Sequence, residues 1–395
     1  MIATKIKTSL AARYTFSGMR SLLSPAPRRP LVLILSDDWG RSGAPSINAL
    51  DVLVREGLLR SVGPWDRYGL ETVADLEALT ASLTALRDCD NRPACLTANI
   101  VVANLAIAET RGEAPKQEDH VALGGLTLVP LDLGLPPPWE GDLPAAYRAS
   151  IDTGAFWPAL HGLTHFSIPI LAAALRDPGE FGRRAKALLD KGIPYLRSVT
   201  PEFSFALSDA SGGSEKPIGE AEQLEWLQAG IAIFERLFGR RPASFCPPGY
   251  RHDRTTLQLL EQFGISSIQA VNPHGFVEFG GLLVIGRNVA FEPVLEVNPV
   301  EAIVVRAFND AMAAYHAGRP IVICSHSINY IDRHVGRAKS GRAGLKDLLT
   351  RLLDRLPNLR FCHVDEATAA WECRDPTWFR APRASEFLSR IRPTQ

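Results

Sequence analysis

The decapeptide LVLILSDDWG, residues 31–40, constrains the fold more than any other stretch of this chain. Leu31 to Leu35 is an unbroken aliphatic run, short and without polar alternation. Such a run fits a strand covered on both faces, as parallel strands are in α/β proteins. It ends in Asp37 and Asp38, adjacent carboxylates that repel each other unless a cation or a shared proton relieves them. In parallel α/β folds the C-terminal strand ends are where chemistry collects. The stretch therefore predicts a strand that delivers two acids to an active rim.

Further apolar or β-branched runs begin near residues 96, 156, 243, 265, 282 and 320, and another covers 359–364. Helical patterns separate most of them, notably LETVADLEALTASLTAL (70–86), EAEQLEWLQAGIAIFERLFG (220–239) and DRTTLQLLEQFG (253–264). The last two close on glycine, the usual residue after a helix C-terminus. Alternation of this kind predicts a parallel sheet, closed into a barrel if the seven strands beginning near 31, 96, 156, 243, 265, 282 and 320 join one sheet. Residues 36–40, 161–165, 246–251 and 324–329 then meet at its C-terminal rim.

Composition narrows the setting. With 43 Lys and Arg against 43 Asp and Glu the formal charge is zero, so no global field draws the chain to nucleic acid. No stretch approaches the ~18 consecutive apolar residues of a transmembrane helix. Six cysteines without a CxxC pair read as reduced thiols rather than a disulfide scaffold, which predicts a cytoplasmic protein. Residues 1–30 hold Lys5, Lys7, Arg13, Arg20, Arg28 and Arg29 and no acid, and read as a basic N-terminal extension. The barrel domain is expected over 31–375 and a C-terminal tail over 376–395.

In FWPALHGLTHFS (156–167), His161 and His165 are four residues apart, a spacing that on a helix puts both imidazoles on one face within reach of a single cation. Two imidazoles and one carboxylate form a common ligand set for Zn²⁺ or another divalent ion with open positions. The second acid is then free to act as general base. His326, in IVICSHSINY, ends another strand-like run and so emerges at the same rim, suited to protonate a leaving group. The loop CPPGY (246–250) is a rigid turn that can wall a cleft and offer a backbone N–H, from Gly249 or Tyr250, to a developing oxyanion. Trp39, Trp65, Trp139 and Trp157 are aromatic candidates for stacking on a bound ligand. His252 and His274 are candidates for lining the cleft, and His363 for supporting it.

The motifs SDDWG, HGLTH, FCPPGY and ICSHS occur in an order and spacing that resemble the polysaccharide deacetylase family, carbohydrate esterase family 4, of the nodulation-protein type, over about residues 31 to 370. The resemblance implies a distorted (β/α)₇ barrel that removes N- or O-acetyl groups from a carbohydrate substrate with one divalent metal, Zn²⁺ first and Co²⁺, Ni²⁺ or Mn²⁺ as alternatives. It implies Asp37 as catalytic base, Asp38, His161 and His165 as metal ligands, and His326 as general acid. Trp39, Pro248, Gly249 and Tyr250 become substrate-binding candidates. Three positions depart from the family pattern. Trp39 stands between the acids and Gly40, implying a turn longer by one residue. Gly162 replaces a serine or threonine that would brace the metal loop. Cys246 occupies the place of an arginine that orients the base, and Arg251 is the expected substitute. Deformylation or another C–N hydrolysis, glycoside hydrolysis, and metal-keeping sugar binding without turnover are the competing functions.

Overall fold

A computed structural model describes residues 26–209, 216–271, 275–279, 281–334 and 336–380. Most of the basic extension, most of the C-terminal tail, and His274 lie outside them. Ala26–Pro27 pairs antiparallel with Phe379–Arg380, tying the two ends of the described chain together.

Seven parallel strands build the centre: β1 (Leu31–Trp39), β2 (Leu96–Val101), β3 (Phe156–Gly162), β4 (Ser244–Phe245), β5 (Ser267–Ala270), β6 (Leu282–Gly286, resuming at Val289–Ala290) and β7 (Ile321–His326). Each pairs with the next in sequence, and β7 returns to β1 with Ile321 opposite Val32 and His326 opposite Asp37. Closure falls on β6, which pairs with β5 up to Gly286 and with β7 from Val289 on. In the handover Arg287 N–H donates to Ala270 O at 3.0 Å and Asn288 N–H to Val322 O at 3.1 Å. The Asn288 side chain completes the ladder by accepting from Val322 N–H and donating to Pro320 O, both at 2.9 Å. An antiparallel strand, Phe276–Phe279, occupies the free edge of β6 below this point, which distorts the barrel.

Helices cover the outside, among them Val73–Thr84, Glu220–Phe238, Val300–His316 and Ala338–Arg355. Thr72 caps the first of these, accepting from Asp75 N–H. Gly239 ends the second with φ +67°, so the glycine read as a C-cap takes the left-handed conformation it favours.

The alternation of β1 decides what the lumen receives. Leu31, Leu33 and Leu35 face a lumen cluster with Ala159, Ile285 and Val322, while Val32 and Ile34 pack outward against the helix layer. Asp37 continues the inward series. Two residues of β1, Asp37 and Asp38, then oppose the single residue Asn99 of β2, because Ser36 pairs with Ala98 and Trp39 with Ile100. This is a β-bulge, and Asp38 adopts φ +68° within it. The extra residue expected as a longer turn is thus absorbed inside the strand. Trp39 is carried to the outer face, where it is fully buried against Phe156 and Tyr330 and donates Nε1–H to Ser36 Oγ at 3.0 Å. Its expected place in a substrate cleft is corrected to the core. Trp39→Ala should cost about 3–5 kcal/mol in denaturant unfolding, the range for deleting a buried aromatic, and a loss below about 1 kcal/mol would refute that placement.

Candidate active site at the barrel rim

The bulge gives the two acids separate environments a few ångströms apart. Asp37 is 2% exposed and accepts from five donor atoms on four residues. Arg287 forks both oxygens, Nη2 to Oδ1 at 2.6 Å and Nη1 to Oδ2 at 2.7 Å. Asn99 Nδ2 and Tyr250 Oη each donate at 2.7 Å, and Cys246 Sγ lies 3.5 Å away. Arg287 also donates to Gln269 Oε1 at 2.7 Å, and Gln269 and Asn99 exchange amide hydrogen bonds. Burial alone would raise the Asp37 pKa, but Arg287 first, then His161 and His326, hold it below the usual carboxylate range.

Asp38 meets His161 Nε2 and His165 Nε2 through Oδ1, both at 3.1 Å. The three side chains are buried, and their ligand atoms lie within 4.8 Å of one another. The histidines do not share a helix. His161 is the inward residue near the end of β3 and His165 follows a turn at Gly162, φ +114°. The turn rather than helical spacing brings the rings together. A Cβ at Gly162 would stand 2.0 Å from Trp226, which explains the missing serine or threonine; Thr164 Oγ1 braces the loop instead, donating to Phe166 O at 2.7 Å.

The donor set fits a divalent cation. His161 Nδ1 is 2.7 Å from the Cys246 carbonyl, an acceptor only, so Nδ1 carries a proton and Nε2 is the ring atom turned to the Asp38 carboxylate, where it can serve as a ligand. Tyr195 Oη, 2.6 Å from His165 Nδ1, fixes the second ring. A second group, Asp37, His161 and Cys246, also converges. Its acid is already forked by Arg287, and burial with the nearby Asp37 charge pushes the Cys246 thiol well above its usual pKa, so it keeps its proton.

His326 stands beside Asp37, Nε2 to Oδ2 at 3.9 Å, and its Nδ1 is 2.7 Å from Glu292 Oε1. Burial opposes the imidazolium, yet Glu292 outweighs it and His326 is pushed up to about 10. Asn329 Nδ2 donates to the other Glu292 oxygen at 2.7 Å. Trp65, 37% exposed, packs edge-to-face with His326 at 5.1 Å and stacks on Tyr68. It is the candidate tryptophan that borders the rim. Trp139 is buried, and Trp157 stacks on His363 four residues before His161 on β3, about 13 Å along the strand. His363 therefore belongs to the opposite end of the barrel.

In the CPPGY loop, Pro248 is buried, and Gly249 (φ +60°) faces the Phe205 ring where a Cβ would sit. Tyr250 N–H donates to Pro247 O at 2.7 Å and is spent in the turn, which leaves the Tyr250 hydroxyl as its contribution through Asp37. Arg251, the expected substitute for the family arginine, lies over Phe205 at 4.9 Å. The fork on Asp37 belongs to Arg287, which faces the lumen from the β6 handover. Arg287 and Glu292 carry no motif of their own in the sequence; the only signal was the empty arginine position at Cys246, which said that some other strand must supply the charge.

No family model and no curated protein sequence matches this chain. Solved structures similar to it include a Mycobacterium smegmatis protein described provisionally as a polysaccharide deacetylase, at TM-score 0.45 and 12% identity over 91% of this chain and 99% of that one. The peptidoglycan deacetylase PdaC from Bacillus subtilis is similar at TM-score 0.38 and 12% identity, over 88% and 94%. A carbohydrate esterase family 4 pseudoenzyme from Bacillus anthracis is similar at TM-score 0.39 and 10% identity, over 88% and 70%.

Removing Arg287 strands a buried carboxylate, whereas removing Arg251 does not. Arg287→Met should lose about 3–5 kcal/mol of unfolding free energy, as breaking a buried ion pair does, while Arg251→Ala stays within about 1 kcal/mol. Equal losses in the two variants would show that Arg287 is not what compensates Asp37.

Proposed function

We propose that this chain is a metal-dependent hydrolase that removes an acetyl or related acyl group from a carbohydrate. The observation that carries the reading is the meeting, on one rim, of an ionised Asp37, a protonated His326 and the Asp38–His161–His165 triad. Asp38, His161 and His165 would hold the metal, with Zn²⁺ favoured by the nitrogen-rich set. When bound, a divalent ion supplies Lewis acidity, polarising an acyl carbonyl and acidifying water.

The chain's own residues divide the remaining work. Asp37, held charged by Arg287, is the base. Its low proton affinity makes it effective only toward water already acidified, which couples it to the cation site. His326 carries its transferable proton on Nε2, because Nδ1 is engaged by Glu292. The 3.9 Å from Nε2 to Asp37 is too long for a hydrogen bond, so that proton remains available to a departing amine or alkoxide. Pro248 and Gly249 stiffen the cleft wall, and the Gly249 N–H is the remaining candidate oxyanion donor in the loop. The ground for a sugar-binding protein without turnover was the missing arginine; Arg287 in its place supports the catalytic reading. Six free cysteines, with Cys246 and Cys324 bordering Asp37 and Arg287, suit a reducing, cytoplasmic setting.

Acetate release from a panel of acetylated sugars, after reconstitution with Zn²⁺, Co²⁺, Ni²⁺ or Mn²⁺, tests the proposal. Asp38→Asn should lose metal and turnover together. Asp37→Asn should keep the metal and lose about 10²- to 10⁴-fold in kcat, the usual worth of a general base. Metal retained by Asp38→Asn and lost by Asp37→Asn would swap the two roles; unchanged turnover in both would end the deacylase reading.

The pH profile isolates His326. As a general acid it is active when protonated, so kcat/KM should hold through neutral pH and fall as pH rises through about 10. Glu292→Gln removes the charge that raises it, and the descending limb should move down toward the ordinary histidine value of about 6.5. An unmoved limb would show that another group sets it.

A further inference from the structure

Three residues beyond Asp38, the Arg41 side chain is buried, with the residue 8% exposed. Its Nη1 donates to Asp38 Oδ2 at 2.8 Å, while both histidines meet the other oxygen, Oδ1. The carboxylate is thereby divided between a resident cation and the place where a metal is expected. The guanidinium lies over the rings of Tyr68 and Tyr195, at 4.5 and 4.8 Å, and both rings are buried. Tyr195 in turn fixes His165. Arg41 Nε is buried without a hydrogen-bond partner. Aromatic faces and Asp38 therefore do most of the holding, and in a desolvated slot the charge of Arg41 acts on its neighbours with little screening.

We infer that Arg41 is a positioning residue that limits how tightly this site holds its metal. It reserves Oδ2, so Asp38 ligates through Oδ1 alone, and it opposes an incoming dication by like charge within the same cluster. One carboxylate oxygen and two imidazole nitrogens remain for the ion, enough to bind it and too few, beside a fixed cation, to trap it. The site is then one that exchanges metal rather than one that keeps it for the life of the protein. A lysine could hold the charge but not the planar stack between two tyrosines. This inference rests on the reading of Asp38, His161 and His165 as a metal centre.

Calorimetric titration of metal-stripped full-length protein with Zn²⁺ at neutral pH tests it without reference to turnover. Arg41→Gln should bind Zn²⁺ at least about tenfold more tightly than wild type, equivalent to about 1.4 kcal/mol, and Arg41→Lys should stay near wild type. Arg41→Met fills the slot between the tyrosines and carries the same expectation as Arg41→Gln should the amide fail to fold, with metal-free melting curves as the check. Tighter binding in the neutral variants, including binding by Arg41→Gln where wild type shows none, supports the inference. Equal or weaker binding by the neutral variants overturns it while leaving the metal centre standing, since Arg41 then only orients Asp38. Zn²⁺ binding by neither wild type nor the variants overturns the inference and the metal centre together.

Discussion

Asp37 is charged and almost wholly removed from water, and the rim is organised around making that tolerable. An unpaired carboxylate in such a place would take up a proton or destabilise the fold. The Arg287 fork prevents both, but only because Arg287 is itself fixed by Gln269, and Gln269 by Asn99, which returns to Asp37. The ring of contacts joins β1, β2, β5 and β6 across the lumen. Each member satisfies a neighbour that would otherwise be a buried orphan, so the network stands or fails as a unit. Aliphatic residues fill the lumen below this layer, and the reactive groups emerge above it.

The bulge solves a problem of parity. Along a regular strand, Asp38 would point away from Asp37, into the helix layer with Ser36. One extra residue opposite Asn99, with Asp38 in a left-handed conformation, turns both acids toward the rim and returns Trp39 to the outer core. A non-glycine residue at φ +68° costs on the order of 1 kcal/mol or more. The fixed partners of Asp38, two imidazoles and a guanidinium, maintain it. Parallel sheets seldom bulge, and here the irregularity sits at the one place where two neighbouring side chains need the same side.

Much of this was legible in the sequence. The seven strand starts follow from short apolar runs separated by helical patterns, because parallel strands buried on both faces leave no other signature. Asp37, Asp38, His161, His165 and His326 were visible because each closes such a run. Arg287 was not, since its pairing spans 250 positions and depends on where β6 changes partners, which no local pattern encodes. Glu292 escaped for the same reason. Trp39 misled because a tryptophan beside a pair of acids at a strand end reads as a platform unless the bulge is known. Gly162 read as a lost brace, whereas the Trp226 ring makes glycine a steric necessity there.

Charges at the rim cancel in pairs: Asp37 with Arg287, Asp38 with Arg41, Glu292 with His326. Each pair is closed within a few ångströms, so its field dies away quickly outside the protein, and the chain as a whole is formally neutral. Without a dication the mouth of the barrel neither beckons nor repels. An uncharged ligand would reach it by simple diffusion, and added salt would leave the frequency of encounter nearly unchanged, in contrast to proteins that gather their ligands along electrostatic gradients.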